Sequence, residues 1–492
     1  ATTLYGDGTN LTGIALTITP LNYNPAVGGL IVGSGTGIGI TFNQAVKAGS
    51  GNVTLSIANA GVGGTVVENF GVGNSVTYGH SDYGTTITIT PTSSLDPKQT
   101  YHLSYPSGAF TNIGGDVSYV GTAYTFITVG GEVWMWGMNN KGQLGQNSTT
   151  QYSSPVQVPG NGWSSTLTIS EEGTTSAIKT NGELWMWGDN SKGALGQNSI
   201  VQRSSPVQIP GTTWAYAAAA MGDPGASTFG IKTDGTLWTW GNNQFGYLGQ
   251  NNTTLYSSPV QLPGTTWSHV EGSNQVTYGI KTDGTLWSWG SNTYGGLGLS
   301  QALPTKISSP TQVPGTTWAA VSSGNYGVIA TKTDGTLWAW GSNTSGVLGQ
   351  NSGTNAHRSS PVQIPGTTWP TTRDKLNNYS GSFAGAIKTD GTLWTWGRDN
   401  WGNLGHGSTG TYRSSPTQVG SDTTWKSVSM GAWDTLATKT DGTLWAFGTQ
   451  GYGQLGVNNR TQYNSPVQAL GANWNVVAQT RHSGASMAHK EV

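Results

Sequence analysis

The chain contains no cysteine, which excludes disulfides and thiolate chemistry. Charge is also scarce: 21 Lys and Arg face 22 Asp and Glu, charged residues are 9% of the whole, and the net charge is −1. A basic field able to hold nucleic acid through its phosphates is therefore missing, and so is any acidic field. No apolar run approaches the roughly 20 residues that a membrane-spanning helix needs, so no membrane insertion is expected. Ala1-Thr2-Thr3-Leu4 does not read as a signal peptide, and the lack of an opening Met reads as a processed or partial product. The seven histidines are scattered, with no H-x-x-x-H spacing, no G-x-S-x-G elbow and no D-x-D-x-D-G calcium loop. The expectation is a non-enzymatic protein with no cofactor and no metal. A glycosidase carboxylate pair assembled from distant segments is the catalytic alternative.

What is present is glycine and aromatic surface. The 492 residues include 76 Gly, 22 Trp and 19 Tyr. Thr, Ser and Asn are abundant, but so many aromatic rings argue for a packed core rather than disorder. The Trp residues are also periodic. W-x-W-G begins at Trp134, Trp185, Trp238, Trp287, Trp338 and Trp394, and a seventh copy at Trp445 has Phe447 for the second Trp. Successive copies lie 51, 53, 49, 51, 56 and 51 residues apart. A period near 50 is the size of one propeller blade.

Each copy repeats one anatomy. In the stretch 226–249, Asp234-Gly235 separates two alternating apolar runs, which predicts a hairpin with a type I′ turn and positive φ at both central residues. Trp238 and Trp240 then share one strand face. Gly241, Gly246 and Gly249 follow at offsets that all seven copies keep, as expected for positive φ or close backbone approach. A polar arm ending in Ser-Pro comes next, from Ser154-Pro155 to Ser465-Pro466, and its proline suits an edge strand that needs no ladder donor. A further Trp closes each unit: Trp163, Trp214, Trp267, Trp318, Trp369, Trp425 and Trp474.

The array is incomplete at both ends. The first copy has only its second half, from Glu132, and Trp474 onward has only a first half. C-terminal strands completing the blade begun by the N-terminal half would close a ring and remove its free edges. The predicted fold class is all-β: a seven-bladed β-propeller over 129–492.

D-G-x-L-W-x-W-G-x-N-x-x-G-x-L-G, recurring from about Gly130 to Val492, resembles the regulator of chromosome condensation repeat. The chain departs from that family in lacking the usual Gly-x-x-His: Ser227-Thr228, Gln275-Val276 and Asn325-Tyr326 stand there instead. It also lacks the inserted wedge and basic tail through which the founding member exchanges nucleotide on a small GTPase and binds chromatin, so that activity is not carried over. Bacterial members include inhibitors that bind enzymes through the propeller face, and the resemblance implies binding of that kind.

Residues 15–128 lack the repeat. Alternating runs at Ile38–Phe42, Val53–Ile57 and Thr86–Thr90, with Gly, Asn and Pro between them, predict a β-sandwich. The segments 40–46, 88–101 and 123–128 resemble the bacterial Ig-like module of S-layer and surface proteins. Ahead of it, L-Y-G-D-G-T-N-L-T-G-I within a linker or docking segment, 1–14, resembles a motif of marine phage tail-fibre and appendage proteins. These resemblances imply a virion surface protein, with a bacterial secreted or cell-surface adhesin as the alternative. The implied partners are other virion or surface proteins, a host-surface protein or glycan, or further copies of the chain.

Of the 22 Trp, 20 fall at repeat positions and are expected in blade packing; Trp401 and Trp433 lie off register and are candidate contact residues. The segments between the closing Trp and the next strand vary most among copies. On a propeller they gather on one face, and variable loops on a regular scaffold are a usual place for binding. From them Glu171, Glu172, Asp223, Tyr278, Tyr326, Arg373, Asp374, Asp434, Arg481 and His482 join the candidate contact face, against the plain reading of drifting solvated loops.

Overall fold

The computed structural model describes residues 20–24, 30–31 and 38–128, apart from 60–61, 80–82, 93–94, 96–99, 116 and 120–123. It also describes 131–491, apart from 171, 221–224, 274, 301–305, 325, 353–354, 380–381, 432, 450 and 480–483. Two compact units are present, Ala1–Gly130 and Gly131–Val492. The regular elements among the described residues are all strands apart from two short 3-10 turns at Thr293–Gly295 and Arg373–Lys375. Among them, no helix is long and apolar enough to cross a membrane.

The N-terminal unit holds two sheets. One orders Pro20–Asn24, Ile38–Ala48, Tyr83–Ile89 and Val76–Tyr78, with Phe110–Asn112 paired to Ile38–Ala48. The other orders Leu30–Ile31, Tyr124–Thr128, Thr100–Ser104, Asn52–Asn59 and Val62–Gly71. Alternation sets the faces: Ile38, Ile40 and Phe42 are buried, while Gly39 and Thr41 between them are half-buried. Both sheets feed one core, in which Phe42 meets Phe110 at 5.5 Å and Tyr119 edge-on at 5.6 Å. This is the expected Ig-like sandwich.

From Gly131 on, the described strands form seven four-stranded antiparallel sheets. In chain order the first spans 163–209, the second 214–261, the third 267–312, the fourth 318–364, the fifth 376–418 and the sixth 425–468. The seventh joins both ends of the propeller: Gly131–Gly137 lies between Tyr152–Gln157 and Ala485–Glu491, and Trp474–Gln479 completes the sheet. Trp474–Gln479 packs beside the innermost strands of both the sixth and the first sheets, so the ring closes and no sheet face is left open. The Ser-Pro strands are the outer edges, where a missing amide hydrogen costs nothing. The first strand of each sheet in the first to sixth, and Trp474–Gln479 in the seventh, is innermost, and most of these strands line the central channel.

Sheet-to-sheet contact is the work of the second Trp of W-x-W-G. Its Nε1–H donates to a loop carbonyl of the preceding sheet: Trp240 to Ala194 at 2.8 Å, Trp289 to Tyr247 at 2.7 Å, Trp396 to Val347 at 2.7 Å. Where the second strand carries a threonine at the matching position, its hydroxyl donates to the same carbonyl, as Thr228 does to Ala194 at 2.8 Å. The seventh copy has Phe447 and no indole donor, yet Thr435 still donates to the matching Asn403 carbonyl at 2.9 Å. That second donor is why Phe447 is tolerated, because a buried carbonyl without any partner is expensive. The fixed glycines permit the approach. Gly246 has φ 78° and a Cβ there would stand 2.6 Å from Cβ of Ser308 in the next sheet.

The Asp-Gly hairpin is not the predicted type I′ turn. Only Gly235 has a positive φ, at 76°; Asp234 does not. Gly235 N–H donates to Lys232 O and Lys232 N–H to Thr236 O, the pattern of a three-residue loop ending in a left-handed glycine. Asp234 keeps a negative φ because its carboxylate accepts from both Thr236 N–H (3.0 Å) and Thr236 Oγ1 (2.7 Å). The Thr236 hydroxyl in turn accepts from Trp238 Nε1 at 2.9 Å. The same Asp–Thr–Trp relay recurs at Asp283, Asp334, Asp390 and Asp441.

Candidate functional site

Within a sheet, antiparallel order puts the connection between the first and second strands and that between the third and fourth strands at the same end. The variable segments therefore share a face with the G-x-x-x-x-G-x-L-G loops. The strand after each variable segment is second in its sheet, and the strand before it is innermost.

Glu171, Asp223, Arg481 and His482 lie outside the described residues. Tyr278 and Asp434 are buried, so neither offers its side chain to a partner. Tyr278 occupies the third position of the strand Val276–Lys281, where other sheets bury Phe229, Ile329 and Leu436. Its hydroxyl donates to Gly296 O, the carbonyl that also accepts from Trp340. Asp434 opens its strand, where other sheets bury Thr174, Ser227 and Val276. Burial pushes its carboxyl up to about 7, with the Gln479 amide opposing. The variable segments end earlier than their sequences suggested, and that displaces both residues into the core.

Glu172, Tyr326, Arg373 and Asp374 are half-buried. Tyr326 stands edge-on to exposed Tyr294 at 5.3 Å, and Tyr294 in turn lies 4.7 Å from the His357 ring. Arg373 belongs to the channel. The other innermost strands start at the closing Trp itself, but Pro370 follows Trp369 and has no amide hydrogen to begin a ladder. The fifth-sheet strand is delayed to Leu376–Tyr379, and the 3-10 turn Arg373–Lys375 faces the channel. This extra chain also explains the longest repeat interval, 56 residues.

From that turn Arg373 pairs with Glu271 of the third sheet, Nη2 to Oε2 at 2.8 Å and Nε to Oε2 at 3.0 Å. Its guanidinium lies 5.6 Å from the Tyr216 ring of the second sheet, and Tyr216 is 5.2 Å from His269. Burial, reinforced by Arg373, lowers His269 to about 3, so its ring is neutral. Burial holds the Tyr216 phenol far above its ordinary value. The channel beside this group has a volume of about 370 Å³ and is lined by polar residues such as Ser165, Ser429, Asn475 and Gln479 together with apolar ones such as Leu167, Val428 and Met430. Glu271 is held by a cation in a structural ion pair. Among the described residues no three His, Asp or Glu side chains group to hold a metal.

Trp401 and Trp433 are brought together. Both are exposed, at 45% and 44%, and both line one cleft with Tyr452, Thr449, Gly451 and Gln454. Its volume is about 360 Å³. Tyr452 was missed at the sequence level, although a signal existed. It sits four residues after the repeat glycine, the position held by Lys141, Lys192, Phe245, Tyr294, Ser345 and Trp401 in the other copies. Aligning the copies on that glycine turns Trp401 from an off-register residue into one of a varying, mostly aromatic set.

A second set was also missed. The Lys before each turn lies over two Trp rings of its own sheet, as Lys232 does over Trp214 (5.1 Å) and Trp238 (4.4 Å). The arrangement recurs in all seven sheets, through Lys179, Lys281, Lys332, Lys388, Lys439 and Lys490. It is a cation–π clamp at the end of the sheet away from the variable face.

A family model described as the regulator of chromosome condensation (RCC1) repeat matches 130–166, 181–220, 234–280, 283–331, 334–370 and 390–438. A bacterial Ig-like domain model matches 14–128. The chain is 27% identical over 340 residues to the mitochondrial RCC1 domain-containing protein RUG3 of Arabidopsis thaliana, covering 68% of this chain and 66% of that one. It is 26% identical to the human E3 ubiquitin-protein ligase HERC2 over 69% of its own length and 7% of the ligase. It thus spans less than two thirds of either relative. Among solved structures, Prp20p from Saccharomyces cerevisiae superposes with a TM-score of 0.62 at 17% identity, over 74% of this chain and 92% of Prp20p; that likeness shows the fold alone.

Proposed function

This chain belongs to the regulator of chromosome condensation (RCC1) repeat family, and from that premise we propose that it is a non-catalytic binding protein of a virion surface, a tail-fibre-like appendage. The observation that carries the binding role is the contrast within one propeller. The sheets repeat their Trp, Lys and Gly contacts with little change, while the face bearing Trp401, Trp433 and Tyr452 differs from sheet to sheet. Scaffolds with invariant packing and variable loops are suited to recognition. Use of the fold for binding other proteins supports this, since Prp20p has binding properties toward Gsp1p and histones.

The virion assignment is supported by the motif at 4–14, which lies outside the described residues, by the Ig-like unit and by the absence of cysteine. The bacterial Ig-like match favours a second reading, a secreted or cell-surface adhesin with the same binding face. Mass spectrometry of purified virions and of secreted and surface fractions, searched for W-x-W-G peptides, separates the two. Co-enrichment with capsid proteins is expected. Recovery only in bacterial surface or secreted fractions would replace the appendage with the adhesin.

A further inference from the structure

The aromatic cleft of the variable face has the chemistry of a small-ligand site. Two indoles and a phenol from three separate loops open onto one hollow: Trp401 from the fifth sheet, and Trp433 and Tyr452 from the sixth. Large aromatic side chains left 36% to 45% exposed, and clustered rather than scattered, mark a binding surface. In the repeat, the indoles with a structural task are accounted for by sheet packing and by donation to loop carbonyls. Trp401 and Trp433 have neither task.

Three properties narrow the occupant. First, among the described residues no ionised side chain lines the cleft: its wall is Trp401, Trp433, Tyr452, Thr449, Gly451 and Gln454. Among these residues a phosphate, sulfate or carboxylate ligand finds no countercharge, and a cationic one no carboxylate, since Asp434 behind the wall is buried and bonded to Gln479. Second, a volume of about 360 Å³ suits a ligand of one or two rings rather than an extended chain. Third, the exposed rings stand beside a neutral polar group, the Thr449 hydroxyl. A π face carries negative charge density and attracts weakly positive hydrogens. A pyranose ring presents such C–H groups on one face and hydroxyls around its rim, and so matches both kinds of wall at once.

We propose that the cleft formed by Trp401, Trp433 and Tyr452 binds a neutral saccharide through stacking of one or two pyranose rings. The inference rests on the reading of this face as a binding surface and gives it a ligand class. It also assigns roles: Trp401 and Trp433 are the stacking platforms, Tyr452 borders the hollow, and Thr449 meets hydroxyls.

The test uses the full chain and a panel of neutral tetrasaccharides of glucose, mannose, galactose and N-acetylglucosamine, with sulfated and sialylated counterparts and a proline-rich peptide as comparison probes. At least one neutral sugar should bind by calorimetry. Trp401→Ala and Trp433→Ala should each weaken it by about tenfold or more, while Tyr294→Ala, elsewhere on the same face, leaves it unchanged. Hydroxyl-radical footprinting of the unmodified protein, which needs no variant to fold, should show Trp401 and Trp433 protected by that sugar. Silence of every neutral sugar, binding that both Ala variants retain, or Trp401-dependent binding of the peptide alone would each overturn the proposal. Attachment of the intact protein to its host surface, persisting without any sugar response, would sink this inference and leave the broader binding role standing.

Discussion

Arg373 and Glu271 come from the fifth and third sheets and meet in the central channel, Nη2 to Oε2 at 2.8 Å, past the fourth sheet that separates them in sequence. No strand-to-strand ladder makes this contact; it exists because Pro370 delays the innermost strand and frees a turn to reach inward. It ties together sheets that are not neighbours in the ring.

Breaking that pair should therefore be felt across the propeller. Glu271 is 6% exposed as a side chain and Arg373 35%, so the full effect of an internal pair is reduced by solvent at the arginine. Arg373→Ala is expected to lower stability by about 2 kcal/mol, because it leaves a carboxylate without its cation. Adding Glu271→Gln should recover part of that loss. A double-variant cycle by urea unfolding checks it, and strict additivity of the two changes would contradict the coupling.

Asp434 and His269 should bend the pH dependence of stability in opposite directions. The folded carboxyl of Asp434 is raised to about 7 from 3.8, so the folded state holds its proton longer than the unfolded one. Its contribution is full below pH 4 and declines as pH rises to about 7. Asp434→Asn should flatten that decline.

His269 is lowered to about 3 from 6.5, so the unfolded chain takes up a proton that the folded one refuses. Its contribution is full above pH 6.5 and disappears as pH falls towards 3. His269→Phe should remove that acid sensitivity while keeping a ring against Tyr216. Each slope is at most about 1.4 kcal/mol per pH unit, and unfolding at pH 4, 5.5, 7 and 8 resolves them.

The shared loop carbonyls predict a buffered response. Trp240→Phe removes one donor from Ala194 O but leaves Thr228 in place. The loss should be about 1 kcal/mol. Trp240→Phe with Thr228→Val strips the carbonyl of both side-chain donors, and should exceed the sum of the single variants. Equal or smaller loss in the double variant would show that the carbonyl has another partner.

The Lys–Trp clamps predict small, repeated effects. Lys332 lies 4.9 Å from the Trp318 ring and 4.7 Å from Trp338. Lys332→Met keeps the stem and removes the charge, and should destabilise by about 0.5–1 kcal/mol. Chemical denaturation at low and high salt checks it; a neutral result at both would reduce the clamp to packing.

The linear chain by itself determined the all-β class, the repeat and its period, the Ig-like module, and which of the Trp residues pack between sheets. These follow from local rules: alternation buries one face, a period near 50 sets a blade, and proline seeks an edge. It also held the +4 position that links Trp401 to Tyr452, though only alignment of the copies on one glycine shows it. Tertiary structure alone decided the rest. Tyr278 and Asp434 look like loop residues until strand register turns them into the core. The Asp234 turn closes differently because its carboxylate prefers Thr236 N–H to a positive φ. Above all, Arg373 with Glu271, and Trp401 with Trp433, are pairs from different sheets. Their meeting depends on how far each sheet is rotated about the ring, and that is a property of the closed packing rather than of any stretch of sequence.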